Sequence, residues 1–436
     1  MRCGLLLSIL LAGAPLAAAP PTVPPPGAAP AAPLDAHRVV AEVRRVIAER
    51  YVLPERRPVI DAILARGLAS GRYDVADPSL FADRVNADLA TAHDRHLSFH
   101  YQPHQAELLA AGLRAQPDTG AAEREDRAAN QGVTELRLLP GNVRYMRYDG
   151  FIWDGDESKA VLDEAMRFLS GGDAVIIDLR RNGGGSGEAG RYIISHFLPP
   201  GRPLVTFYMN GQPPDHVSTL PDVPSRMVGK PLYVLISSGS ASAAEGFSGN
   251  VAGYHIGELV GANTAGAGFR NDLVPLPGGF VLSVSIGRAV LASTGRDWEA
   301  VGHAPTVPSE VGAALDTAYA LALQRLAAAG QGPQRAWLSS AAEGVAARTS
   351  PRAPALPLGA YAGAYGDRAI YAEGGRLFSR REGRLPIALV PLGGNVFTFD
   401  DDPAARLEFL VSGDRATSLR LSTPGRPPQG PFARTG

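Results

Sequence analysis

Hydrophobic positions divide the chain into three textures. From Leu34 to about Ala111 they recur at helical spacing, with Val39, Val40, Val43, Val46 and Ile47 on one face. Further helices are predicted over Val59–Ala69 and Ser79–Ala92, with Asp77 and Ser79 as caps beside Pro78. This reads as a small helical N-terminal domain over 34–115, followed by a polar surface loop, Gln116–Gln131. From residue 132 strands and helices alternate. Thr134–Leu139 and Val143–Tyr148 flank the turn Pro140-Gly141-Asn142, and Asp156–Leu169 is an amphipathic helix. Ala174–Leu179 and Leu232–Ile236 read as buried strands, each followed by a helix, Gly187–Phe197 and Ser242–Val251. Ile256–Val260, Phe280–Ile286 and a closing helix, Thr317–Ala329, complete a core over 132–329. Alternation of this kind predicts an α/β layer structure. A partly helical connector follows over 330–355. Then come seven short strand candidates: Tyr361–Tyr365, Ile370–Ala372, Arg376–Arg380, Ile387–Val390, Val396–Phe399, Leu407–Val411 and Ser418–Leu421. They predict a small all-β domain over 356–426.

Composition changes this picture mainly at the N-terminus. The chain has 436 residues, 45% of them hydrophobic, enough for more than one domain. Its formal net charge of −1 gives no electrostatic argument for a nucleic-acid partner. Arg2, the apolar run Gly4–Leu16 and Ala17-Ala18-Ala19 have the layout of a secretory signal over 1–19, with an uncleaved anchor as the alternative. A Pro/Ala-rich linker over 20–33 follows. A secreted or periplasmic protein with no stable membrane span after cleavage is expected. The only cysteine, Cys3, lies inside the signal. The mature chain would then lack disulfides, thiolate catalysis and cysteine metal ligands.

Four segments carry candidate chemistry. Ser237-Ser238-Gly239-Ser240-Ala241-Ser242-Ala243-Ala244-Glu245 follows a buried strand and opens a helix. A serine at such a turn presents its hydroxyl, with helix amides behind it for an oxyanion, although a plain helix start has the same composition. Asp178-Leu179-Arg180-Arg181-Asn182-Gly183-Gly184-Gly185 lets the backbone approach a ligand closely. It matches neither a dinucleotide fingerprint nor a phosphate loop, and alone it is a tight strand-to-helix turn. With the serine turn it reads as the second half of an oxyanion hole. His93, His96 and His100 cluster around Asp94. His93 and His96 have the spacing of a helical metal pair but lack its glutamate, so a surface cluster is the competing reading. Glu299 beside Trp298 is either a partly dry carboxylate able to act on an imidazole or an exposed loop acid. No cofactor and no metal is assigned.

Together these segments resemble the S41 serine peptidases, the tail-specific or C-terminal processing family, over nearly all of Arg38–Pro308. The likeness is carried by Tyr51-Val-Leu-Pro, Asp94-Arg-His-Leu97, Leu139-Pro-Gly-Asn-Val143, Asp149-Gly-Phe151, Asp178–Gly185, Ser242-Ala-Ala-Glu245 and Trp298-Glu299. It is nearest to the branch of the tricorn core and interphotoreceptor retinoid-binding protein. The resemblance implies an α/β core of crotonase-like ββα layers, with the helical N-terminal and small all-β C-terminal domains attached. It implies Ser242, rather than Ser240, as nucleophile, with oxyanion donors from Ala243 and from Gly183 or Gly184. In the processing branch a lysine on a Gly-x-x-Thr-x-Gly-Lys loop is the base. Here that position is Ala267, which cannot accept a proton. The tricorn-like branch uses a histidine and a glutamate, which His96 and Glu299 resemble. Two departures stand out: Arg95 replaces a relay serine, and Gly302-His303-Ala304-Pro305-Thr306 replaces Gly-Val-x-Pro-Asp. About thirty residues separate His100 from Thr134, too few for a PDZ module of roughly 100. The implied activity is a secreted serine peptidase acting on peptide or protein substrates. A hydrophobic-ligand binder on the same scaffold and acyl transfer to a non-peptide ester or amide are the alternatives. Homo-oligomerisation stays open. His96 and Ser242 come from different blocks, so closure of the helical block is a candidate gate.

Overall fold

The computed structural model describes residues 34–94, 96–112 and 119–435. The signal, the Pro/Ala-rich linker and Arg95 lie outside the described residues. Helices α1 (Ala36–Arg50), α2 (Arg57–Ala69) and α3 (Pro78–Leu89) form as the periodicity predicts, and the Asp77 side chain caps α3 by accepting from the Ser79 and Leu80 amides. The expected helix does not continue to Ala92. A 3₁₀ turn takes over and His93 adopts a left-handed conformation, so the helical His93/His96 pair does not form. Strand β1 (Ser98–Tyr101) follows, then helix α4 (Pro103–Ala110). Within the predicted polar loop lies helix α5 (Thr119–Ala128), which has no apolar stripe to announce it.

The core begins with the antiparallel pair β2 (Val133–Leu139) and β3 (Val143–Tyr148), then α6 (Asp156–Ser170), β4 (Ala174–Asp178) and α7 (Gly187–Ser195). Strands β5 (Pro203–Met209), β6 (Asp215–Ser218) and β7 (Leu232–Ile236) precede α8 (Ala243–Gly253). Next come β8 (Glu258–Gly261), β9 (Phe269–Leu276), β10 (Phe280–Leu291), β11 (Val307–Pro308), α9 (Ala314–Ala329) and α10 (Gly332–Thr349). One sheet has the order β11-β8-β7-β4-β3-β2, parallel except for β2. Its central strands are buried on both faces, as parallel strands between helix layers must be. Val175, Ile177, Leu232, Val234 and Ile236 face α6, α7 and α8, while Ala174, Ile176, Tyr233 and Leu235 face α9 and α10.

The second sheet, β1-β10-β5-β6 with β9 on β10, joins the helical block to the core. Phe99, Phe269, Phe280 and Leu282 pack with the apolar faces of α1–α3, and the Phe99 and Phe280 rings stack at 4.9 Å. The block that carries His96 therefore shares a sheet and a hydrophobic core with the strands leading to Glu299.

After β12 (Arg352–Pro354), eight strands run consecutively: β13 (Gly363–Tyr365), β14 (Arg368–Glu373), β15 (Arg376–Arg381), β16 (Ile387–Gly394), β17 (Val396–Phe399), β18 (Arg406–Ser412), β19 (Arg415–Ser422) and β20 (Gln429–Thr435). Each pairs antiparallel with the next, and β20 closes onto β13. Closure leaves these eight strands without a free edge. The interior is filled by Tyr361, Tyr365, Leu377, Phe397, Leu407, Phe409 and Leu419. Sequence reading found seven of these strands and missed β20, which completes the barrel.

Candidate active site

Strand β7 delivers the serine run into a turn stitched to the β4–α7 loop. The Ser237 hydroxyl donates to Arg180 O at 2.7 Å, the Ser240 hydroxyl to Leu179 O at 2.7 Å, and the Ala241 amide to Asn182 O at 3.0 Å. Ser240 is thus buried and structural. Ser242 is exposed and stands immediately before α8 with φ 54° and ψ −115°. A non-glycine residue in that region costs on the order of 1–3 kcal/mol, and strain at a strand-to-helix turn is what holds a nucleophile proud of a sheet.

Glu245 fixes this turn. It is fully buried. One oxygen accepts from the Ser242 and Ala267 amides at 2.9 and 2.8 Å, and the other from the Thr264 hydroxyl and Gly266 amide at 2.6 and 2.7 Å. On the opposite side lies the glycine turn. Asn182 is buried; its amide group donates to Tyr148 O and its oxygen accepts from the Gly184 amide at 2.9 Å. A Cβ on Gly184 would come within 2.7 Å of Ser242 Cβ and of Ala241 O, and φ is +103° there, so only glycine fits. Gly184 thus touches the serine, but its N–H is spent on Asn182. Of the two predicted glycine amides, Gly183 is the one with no acceptor among the described residues, as is Ala243 at the head of α8.

His96 is positioned through its backbone. Its N–H donates to Asp94 Oδ1 at 2.8 Å, and its carbonyl accepts from the Ser283 hydroxyl of β10 at 2.6 Å. The ring is half-buried, with Nδ1 3.4 Å from Glu299 Oε1 and 4.0 Å from Asp94 Oδ1. That turns Nδ1 towards the two carboxylates. Glu299 is buried beside Trp298; its other oxygen accepts from the Gly268 and Phe269 amides at 2.7 and 2.8 Å. The facing Glu299 carboxylate raises the His96 pKa against the opposing effect of burial, and the charges of Asp94 and Glu245 add to it. Burial pushes Glu299 upward, but His96 and the two amides more than offset this and hold it below its ordinary value.

Residues 142–309, which hold the glycine turn, the Ser242 turn and Glu299, match one family model. That model is peptidase family S41. The chain is similar to the photosystem II D1 C-terminal processing protease (18% identity over 64% of this chain and 94% of that one, TM-score 0.44). It is also similar to mature CPAF complexed with lactacystin (14% identity, 67% and 97%, TM-score 0.46) and to the tricorn protease (11% identity, 63% and 34%, TM-score 0.39).

Both lysines of the chain are engaged away from the Ser242 turn. They are Lys159, paired with Asp163 at 2.8 Å, and Lys230, which donates to Ser170 O and Gly172 O. Ala267 uses its amide, not its side chain, in the site. His100 points away on β1 and bonds Ser98. Asp94, His96 and Glu299 bring three metal-ligand types within 4.8 Å. However, the Asp94 oxygen nearest the ring already accepts two amides, at 2.8 and 3.2 Å, and one Glu299 oxygen accepts two more. The roles of Asp94 and Glu245 were missed in the sequence reading. For Glu245 a signal existed, since Ser242-x-x-Glu245 is a capping box and the Glu245 side chain does accept from the Ser242 amide.

Proposed function

We propose that this protein is an S41 serine peptidase that cleaves peptide bonds through an acyl-enzyme on Ser242. The Ser242 hydroxyl attacks the scissile carbonyl while His96 Nε2 takes its proton. The imidazolium so formed faces Glu299, and the Ala243 and Gly183 amides receive the oxyanion. His96 then protonates the leaving amine. In the second half it takes a proton from the water that attacks the acyl ester, and Ser242 regains its hydrogen. The observation that carries this reading is the 3.4 Å approach of Glu299 to Nδ1, which leaves Nε2 as the proton acceptor. The tricorn-like arrangement without a PDZ module, and export by the N-terminal segment, belong to the same proposal. A fluorophosphonate probe tests it. Wild type should label, while Ser242→Ala should not and His96→Ala should label far more slowly; equal labelling of wild type and Ser242→Ala rejects the assignment.

A further inference from the structure

We propose that Asp94 is a second carboxylate on the His96 imidazole and the positioning residue that aims it; this rests on the reading of His96 as base. The Asp94 side chain is completely inaccessible to solvent. Its Oδ1 holds the turn by accepting the His96 and Leu97 amides at 2.8 and 3.2 Å, and the same oxygen stands 4.0 Å from Nδ1 of the ring. Its Oδ2 is buried with no hydrogen-bond partner among the described residues. Behind it is the buried Tyr51 hydroxyl, whose pKa is pushed up by burial and by the Asp94 carboxylate. Tyr51 is itself fixed at the end of α1, where its carbonyl accepts from Arg57 Nε at 2.8 Å.

A buried carboxylate carries a desolvation cost of several kcal/mol unless a positive group faces it. Arg56 lies on the Tyr51 side, where it donates to Ala92 O. On the site side the group that becomes positive is the His96 ring. The ring in turn is faced by Glu299, Asp94 and, more distantly, Glu245. Asp94 therefore does two things at once. Its turn sets the direction in which His96 leaves the backbone, and its charge favours the imidazolium that forms when Ser242 loses its proton.

Asp94→Asn separates the two, because an asparagine oxygen keeps accepting the amides while the charge is gone. The first measurement needs no turnover: the His96 ring is titrated by NMR in Ser242→Ala, using the resonance that vanishes in His96→Gln. With Asp94→Asn added, the midpoint should move to lower pH. The second measurement is peptide hydrolysis by Asp94→Asn alone. Turnover should fall on the order of 10-fold to 100-fold, part of what a positioned base supplies, with KM little changed and the acid limb moved to lower pH. An unmoved His96 titration, or wild-type turnover, overturns the proposal and leaves Asp94 as a turn residue only. If wild type itself hydrolyses nothing, the Ser242 reading falls while the titration still decides Asp94.

Discussion

Glu245 and Glu299 are held by four consecutive amides of one loop: Gly266 and Ala267 donate to Glu245, Gly268 and Phe269 to Glu299. Glu245 also holds the Ser242 amide, and Glu299 faces the His96 ring. The loop thus sets the separation between the nucleophile's turn and the base's carboxylate.

Glu245→Gln tests this directly. The new NH₂ group would face donors rather than acceptors, leaving at least one buried amide unsatisfied and one donor pair in opposition. A loss of about 3 kcal/mol in the urea unfolding free energy is expected. Turnover should fall about 100-fold, because the Ser242 turn loses its anchor. A variant with wild-type stability and rate would show that the loop does not hold the site.

The His96–Glu299 pair gives opposed pH dependences for activity and stability. Glu299 raises His96 above its ordinary 6.5, so the neutral base, and with it kcat/KM, should grow in through an acid limb lying above that value. Stability runs the other way. The raised His96 contributes stability that is fully present below 6.5 and lost as pH rises through its folded value. Glu299, held below its ordinary 4.5, contributes stability present above 4.5 and lost as pH falls through its folded value. The pair therefore stabilises most between 4.5 and 6.5, below the acid limb, where most of the base is protonated. Unfolding curves of wild type and Glu299→Gln should differ most in that window, and the variant's acid limb should lie at lower pH. Coincident acid limbs would remove Glu299 from the mechanism.

Legibility in the sequence followed burial. β4 and β7 were readable because helix layers cover both faces and every position but the terminal Asp178 of β4 is apolar. β5 and β9 were not, because they are half-exposed and β9 contains Asn271, Asp272 and Pro275. β20 is mostly exposed and follows a Pro-rich stretch, so only closure onto β13 defines it. α5 is polar throughout and lacks a periodic stripe. Ser242, His96 and Glu299 came from a family resemblance, not from spacing, since they lie on three separate loops. The choice of Gly183 over Gly184 as the free amide depends on where the Asn182 side chain points, which no linear pattern encodes.

Gly184→Ala should be severe for a steric reason. A methyl group there meets Ser242 Cβ and the Ala241 carbonyl at 2.7 Å, both parts of a turn already pinned by Glu245. The φ of +103° adds backbone strain of about 1–3 kcal/mol. Loss of fluorophosphonate labelling together with a lowered Tm is expected. Gly183→Ala has open space around its Cβ and should keep wild-type stability. Equal stabilities of the two variants would contradict the close approach.

His196 offers a pH test remote from the catalytic residues. The ring is completely buried at the end of α7, packs edge-on against Tyr192 at 5.2 Å, and neither nitrogen has a hydrogen-bond partner among the described residues. Burial pushes its pKa down to about 4, with the nearby Ser225 and Pro224 backbone opposing only in part. The unfolded chain takes up a proton near 6.5, where the folded protein does not. Stability should therefore be lost as pH falls from 6.5 toward 4, by about 3 kcal/mol from this group alone. His196→Phe keeps a ring against Tyr192 and cannot titrate. Its urea midpoint should match wild type near pH 7.5 and exceed it increasingly below 6.5. Parallel midpoint curves for the two proteins across that range would mean that His196 takes up its proton while folded, at a site open to water.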